Sequence, residues 1–249
     1  MNAESNTFIK NQDLAMQDLS CLYEITKNLA AATDLQESLK RVVMVLADMK
    51  KMENGTVTIV NPVSRELEIE VACGITETAQ KKGKYKLGEG ITGRVVSTGE
   101  PVIVPQIGDE PLFLNRTGIR NDEQKKKSSF ICVPIKATKA TFKSSSEKTA
   151  AQMPHIHAEN LPIGALSIDR FYEQEFGLQS EQDLRFLTIV SALIAQAVHR
   201  VQVINREKDA LHQENLRLRR ELSAKNRIND IIGNSSRMQE VFEMVHRVA

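Results

Sequence analysis

No run in these 249 residues approaches the about eighteen apolar residues that a membrane-spanning helix needs. Met1–Lys10 is polar and lacks the apolar stretch of a signal peptide. Net charge is nearly absent, with 33 Lys+Arg against 32 Asp+Glu, so bulk electrostatics draw the chain neither to nucleic acid nor to an anionic membrane. Cysteine is scarce: Cys21, Cys73 and Cys132 are odd in number and far apart, which favours reduced thiols over a disulfide framework. These absences point to a soluble cytoplasmic protein with no membrane association. The missing Walker Gly-x-x-x-x-Gly-Lys motif and the lack of a basic recognition helix exclude ATP hydrolysis and direct DNA contact by this segment.

The densest set of structural signals lies between Tyr85 and Pro105. Gly88 and Gly90 flank Glu89, where the backbone can turn with positive φ. Ile91, Val95 and Val96 fall on one face of a short helix, and Gly93 permits a close approach beneath it. Gly99-Glu-Pro101 stops that helix, and Val102-Ile-Val104 before Pro105 reads as a short edge strand. Gly88, Gly90 and Gly93 also have the Gly-x-Gly-x-x-Gly spacing of dinucleotide sites. A charged run, Lys81–Lys84, replaces the required strand before them, and the helix after them is too short.

Upstream, residues 1–12 read as a flexible terminus. Leu14, Leu19, Leu22, Tyr23, Ile25 and Leu29 form the stripe of a first helix that carries Cys21 as a small buried hydrophobe. Thr33-Asp34 caps a second helix with Leu35, Leu39, Val42, Val43, Leu46 and Met49 inward. Gly55–Val60 and Glu66–Cys73 alternate as a hairpin. Leu67, Ile69, Val71 and Cys73 share one face, Glu66, Glu68 and Glu70 the other, as in an antiparallel sheet with one face in water. Thr76–Lys82 reads as a polar linker.

Downstream, Leu112, Phe113 and Leu114 should anchor the irregular stretch 107–127 onto the sheet. Ser128–Ile135 and Leu161–Arg170 should pair as buried strands. Between them 137–160 lacks a hydrophobic pattern and reads as a flexible insertion, within which His155 and His157 lack further ligands at metal-site spacing. Ser180-Glu-Gln-Asp183 reads as the capped, acidic start of a long helix with Leu184, Leu187, Val190, Leu193, Ile194 and Ala197 inward. That pattern continues as heptads, with Val201, Lys208, Asn215 and Leu222 at a and Ala197, Ile204, Leu211 and Leu218 at d. A seam with one Asn predicts a parallel homodimeric coiled coil over 201–228, and an amphipathic helix packed on its own domain remains open. Ile231-Ile232-Gly233 opens a further segment, in which Ser235 or Ser236 caps a helix with Met238, Val241, Phe242 and Val245 inward.

The words Gly88-Glu-Gly90, Phe113-Leu-Asn-Arg116 and Phe130-Ile-Cys-Val-Pro-Ile135 resemble, in that order, those of GAF domains, small-molecule-sensing modules of signalling proteins. Ile232-Gly-Asn-Ser235 and Met238-Gln-Glu-Val241 resemble the opening of the AAA+ domain of sigma-54-dependent activators. The whole order is similar to the NifA-type nitrogen-fixation regulators, with the 137–160 insertion longer than usual in that family. The resemblance implies an α/β (α+β) fold: a GAF-like central antiparallel sheet flanked by helices over 13–200, a linker helix over 201–228, and a truncated AAA+ start over 229–249. It implies a regulatory, non-catalytic sensor of nitrogen or carbon status, acting through a pocket or a nitrogen-signalling partner protein and controlling its own AAA+ domain. A dicarboxylate such as 2-oxoglutarate is the ligand the resemblance allows, with Arg116 and Arg120 as cationic donors and Phe113, Phe130 and Cys132 around them. Two other readings stay open: a ligand-free module for dimerisation or protein docking, and a reactive thiol at Cys73 or Cys132.

Overall fold

The computed structural model describes residues 2–31, 34–61, 64–137, 162–171, 176–225 and 236–248. The expected insertion, with His155 and His157, and the segment Ile231–Gly233 lie outside them. The chain divides into two units, Met1–Val201 and Gln202–Ala249.

Within the first unit, six strands form one antiparallel sheet: β1 Glu53–Val60, β2 Leu67–Ala72, β3 Lys84–Tyr85, β4 Val102–Val104, β5 Ser128–Lys136 and β6 Pro162–Phe171. The spatial order is β3-β2-β1-β6-β5-β4. β5 and β6 pair along their whole length, from Ser128 opposite Phe171 to Lys136 opposite Pro162. Both are buried on both sides, as their unbroken apolar runs predict.

One face of the sheet carries helices α1 Asn2–Ala30, α2 Leu35–Lys50 and the first part of α6 Phe176–Lys225. Asp34 caps α2 by accepting from the Gln36 backbone N–H at 2.9 Å. Leu39, Val42, Val43 and Leu46 of α2 meet Val57, Ile131, Leu166 and Ile168 of the sheet and Leu187, Val190 and Ile194 of α6. Each such leucine removes an apolar side chain from water, and truncation to alanine costs about 2–5 kcal/mol. By length and composition alone α6 contains a stretch apolar enough to cross a membrane, contrary to the sequence expectation. Its positions Leu187, Val190, Ile194 and Val198 are instead buried in this core.

The opposite face is covered as well, by α4 Gly90–Thr98, the turn Ile107–Asp109 and the loop carrying Phe113, while α3 Glu77–Lys82 lies beside β2 and α5 Asp122–Lys127 leads into β5. Ile91, Val95 and Val96 of α4 pack with Leu67, Val104, Ile107, Phe130, Cys132 and Ala165. The expectation of a sheet with one face in water is therefore wrong. A β-bulge explains the error in part: the β1–β2 register shifts between Val57 and Thr58, so Glu70 has no opposite residue. That extra residue turns Leu67 toward the α4 side and Val71 toward the helical core, splitting a row that simple alternation places on one face.

Other boundaries also differ from the sequence reading. Helix α1 starts at Asn2, because extending an existing helix fixes fewer dihedrals per bond than nucleating one, even through polar residues. Its inward side is Cys21, Ile25 and Leu29, while Leu19 and Tyr23 point outward. The expected linker at Thr76–Lys82 is α3, capped by the Thr76 hydroxyl. Ser180 lies inside α6, which starts at Phe176, and is buried rather than capping.

Both outer edges of the sheet are blunted. β3 pairs only with Leu67 and Glu68, and beyond them Gln80 Nε2 donates to the carbonyls of Ile69 (3.0 Å) and Glu70 (3.1 Å). At the far edge β4 is three residues long between Pro101 and Pro105.

In the second unit, Ile204, Leu211, Leu218 and Leu222 of α6 are exposed, Leu211 at 71%. Of the proposed seam, Ala197 belongs to the first unit's core at 2% exposure and is not available to a partner chain. Helix α7 spans Ser236–Val248, with Phe242 half-buried but Val241 and Val245 exposed.

Candidate ligand pocket

The Tyr85–Pro105 stretch builds one wall. Gly88 (φ 81°) and Gly90 (φ 62°) take the left-handed conformation read from their sequence. A Cβ on Gly93 would meet the Lys86 carbonyl oxygen at 2.3 Å, so only glycine allows the helix start to close over the turn. Gly88 N–H donates to the Gly93 carbonyl at 2.9 Å, and the Glu89 carboxylate accepts from the Lys86 N–H at 2.8 Å.

The opposing wall is the loop after the Ile107–Asp109 turn. Phe113 packs edge-on against Phe130, with ring centroids 5.2 Å apart at 74°. Leu112 and Leu114, expected as anchors, are each 43% exposed and border the cavity, Leu114 beside Gly90, while Phe113 is the most enclosed of the three. Between the walls, over Thr56, Thr58 and Ser167 of the sheet, lies a cavity of ≈ 40 Å³. That is room for about one water molecule. The Thr56 and Ser167 hydroxyls bond each other across its floor at 2.6 Å. On its loop side Asn115 Oδ1 and Thr117 Oγ1 are buried without a hydrogen-bond partner. Such atoms are uncommon in folded proteins and mark a place for water or ligand.

Arg120 closes the end of the cavity. It is 8% exposed and forms a two-pronged pair with Asp169 of β6, Nε to Oδ2 at 2.6 Å and Nη2 to Oδ1 at 2.8 Å. Asn54 Nδ2 donates to the same Oδ2 at 2.8 Å. The guanidinium lies 5.0 Å from the Phe113 centroid and 6.0 Å from that of Phe130. Arg116 sits apart at the rim, bonded to the Lys84 carbonyl and the Glu89 carboxylate and 5.4 Å from the Tyr85 ring.

Of the residues read from the sequence as ligand-binding, Phe113, Arg120 and Phe130 thus line the cavity. Cys132 is fully buried between Val102 and Ser167 and is not part of the lining. Burial pushes its thiol up to about 12, against the opposing hydrogen bond from Thr92. Burial likewise pushes Cys21 up to about 11. Sequence reading missed Asp169 and Asn54. The signal was an acid in the otherwise apolar run of β6, which burial requires to have a cationic partner. Among the described residues no metal-ligating cluster converges. A larger, open groove of ≈ 910 Å³ runs between α2 and β2, lined by side chains of both charges.

The GAF domain family matches residues 34–198. Over 239 residues the chain is 34% identical to the Nif-specific regulatory protein of Azospirillum brasilense, covering 96% of this chain and 35% of that one. It is 33% identical to the nitrogen fixation protein AnfA of Azotobacter vinelandii, over 93% of this chain and 39% of that one. The chain therefore spans little more than a third of the length of these relatives. In fold it is similar to the A. aeolicus nlh2 GAF domain in an inactive state, with TM-score 0.58 and 24% identity, over 74% of this chain and 97% of that one. A family match across well over half of the residues, on a sheet that encloses its pocket in this way, makes the chain a member of the GAF domain family.

Proposed function

We propose that the chain is the sensory, regulatory region of a Nif-type, sigma-54-dependent transcription activator, cytoplasmic and without catalytic activity of its own. The observation that carries this reading is the 34% identity to a Nif-specific regulatory protein along nearly the whole chain. In such a protein the GAF domain reports nitrogen or carbon status and controls an AAA+ ATPase domain. The linker helix pairs two copies through Ile204, Leu211, Asn215, Leu218 and Leu222, whose apolar members are exposed in the single chain. Burial holds the Cys21 and Cys132 thiols protonated at neutral pH, which argues against nucleophilic chemistry there.

A dicarboxylate such as 2-oxoglutarate reaches Arg120 only by displacing Asp169 and opening the Phe113 loop, since the cavity is water-sized. A second reading, a ligand-free docking and dimerisation module, is favoured by that same small volume. The test is a hybrid: the matching third of the Azospirillum regulator is replaced by this chain, and a nitrogen-fixation promoter reporter is read with and without fixed nitrogen. Retained nitrogen control supports the regulatory reading, and activity independent of nitrogen overturns it. A thermal shift of the purified chain with 2-oxoglutarate separates the ligand-binding reading from the docking one.

A further inference from the structure

Asp169 and Arg170 are adjacent on β6, and successive strand residues point to opposite faces of the sheet. Asp169, 1% exposed, faces the pocket and holds Arg120. Arg170 faces the helical core, where its Nε lies 3.2 Å from Oδ2 of Asp183 on α6, itself 4% exposed. A buried ion pair and a second whose carboxylate is buried and whose arginine is 19% exposed thus sit back to back across one strand. One joins β6 to the pocket loop, and the other joins it to α6.

We propose that these pairs are one coupling element, by which the position of the pocket loop is read at the start of α6. Charge pairs largely withdrawn from water are a weak source of stability compared with apolar packing. Each is nonetheless intolerant of losing one partner, so moving Arg120 leaves the Asp169 carboxylate uncompensated. This end of β6 can respond, because its ladder to β1 is irregular between Glu53 and Thr56 and Asn54 there has φ 48°. Rotation of the strand to rehydrate Asp169 carries Arg170 with it, since the two share a peptide unit, and so shifts Arg170 against Asp183. The core around Leu187 and Val190, directly after Asp183 on α6, then feels the change. The inference gives the sensory reading a route from pocket to helix. Its residues are all in the first unit, so its test needs neither ligand nor partner.

The test is hydrogen–deuterium exchange on the full chain, comparing α6 peptides within 179–200 with loop peptides within 107–121. Arg120→Lys and Arg120→Gln, which leave the Asp169 carboxylate poorly compensated, should speed exchange in both regions, by about fivefold or more in α6, the lower end of ordinary site-to-site coupling. The neutralised double variant Arg120→Gln/Asp169→Asn should reverse most of the α6 increment. In an Asp183→Asn background the α6 increment should vanish, because the receiving pair is gone. Coupling is reciprocal, so Arg170→Gln should speed exchange in 107–121. That second direction decides the matter if the Arg120 variants unfold. Effects confined to the mutated side, or additive in the Asp183→Asn background, overturn the proposal. A hybrid regulator that ignores nitrogen overturns the sensory reading while leaving these exchange results standing.

Discussion

Arg120 and Asp169 are separated by 49 positions in sequence and meet as a fully enclosed, two-pronged ion pair at the end of the pocket. The carboxylate that satisfies the arginine comes from the protein itself, and Asn54 takes up a further lone pair. The arginine's charge is therefore already compensated when the pocket is empty. An anionic ligand competes with a residue already in place.

Asp169→Asn leaves a buried guanidinium without its counter-charge and should lower stability by about 3–5 kcal/mol. Arg120→Gln/Asp169→Asn should lose clearly less than the two single changes summed. Urea unfolding of the four proteins measures both; strict additivity would mean that the pair is not coupled.

Two glycines of one turn should respond differently to alanine. Gly88 has φ 81° with open space around its missing Cβ, so Gly88→Ala meets backbone strain alone, about 1–2 kcal/mol. Gly93→Ala drives a methyl into the Lys86 carbonyl and should shift the turn, destabilising by about 1–3 kcal/mol and changing the environment of Glu89. Two-dimensional NMR should show perturbations at residues 86–93 that exceed those from Gly88→Ala.

The buried thiols set an alkaline limit. Burial raises Cys21 to about 11 and Cys132 to about 12 from an ordinary 9.0. A raised pKa means that the folded state favours the protonated form. Each thiol's contribution is complete below the unfolded value and is lost as pH climbs from there toward the folded one. At pH about 10 the loss is about 1 kcal/mol per thiol. Urea midpoints should fall between neutral pH and that point, and fall less in Cys21→Ala/Cys132→Ala. At neutral pH iodoacetamide should modify the half-buried Cys73 first.

The seam of the linker helix is testable by sedimentation equilibrium. Leu211→Ala and Leu218→Ala should weaken dimerisation, each by about 2–5 kcal/mol if the layer is fully buried between chains. Asn215→Val should strengthen association while relaxing register. Weaker association in Asn215→Val, or no change in the leucine variants, would assign this face to a different contact.

Residues whose neighbours lie close in sequence were legible. The turn at Gly88–Gly90, the stop at Gly99 with Pro101, the Asp34 cap and the buried pair of strands β5 and β6 all follow from local sterics and hydrophobic pattern. What local pattern cannot carry is registration. The bulge at Glu70 depends on how β2 meets β1, and it moved Leu67 and Val71 to opposite faces. The pocket shows the same boundary: Phe113, Phe130 and Arg120 were found from their words, yet the partner that neutralises Arg120 lies on the last strand. Arg116 carried the same sequence signal as Arg120 and sits at the rim, bonded to Glu89, because charge alone does not say which side of a loop turns inward.

The blunted sheet edges limit how copies of this domain can meet. An open strand edge is a template for another chain, and runaway strand addition ends in fibres. Here the Gln80 side chain occupies the carbonyls of Ile69 and Glu70 on one edge, and Pro101 and Pro105 bracket the short strand on the other. Strand-to-strand polymerisation is thereby disfavoured, and any assembly is left to the helices, where contacts are finite in number and can close on themselves.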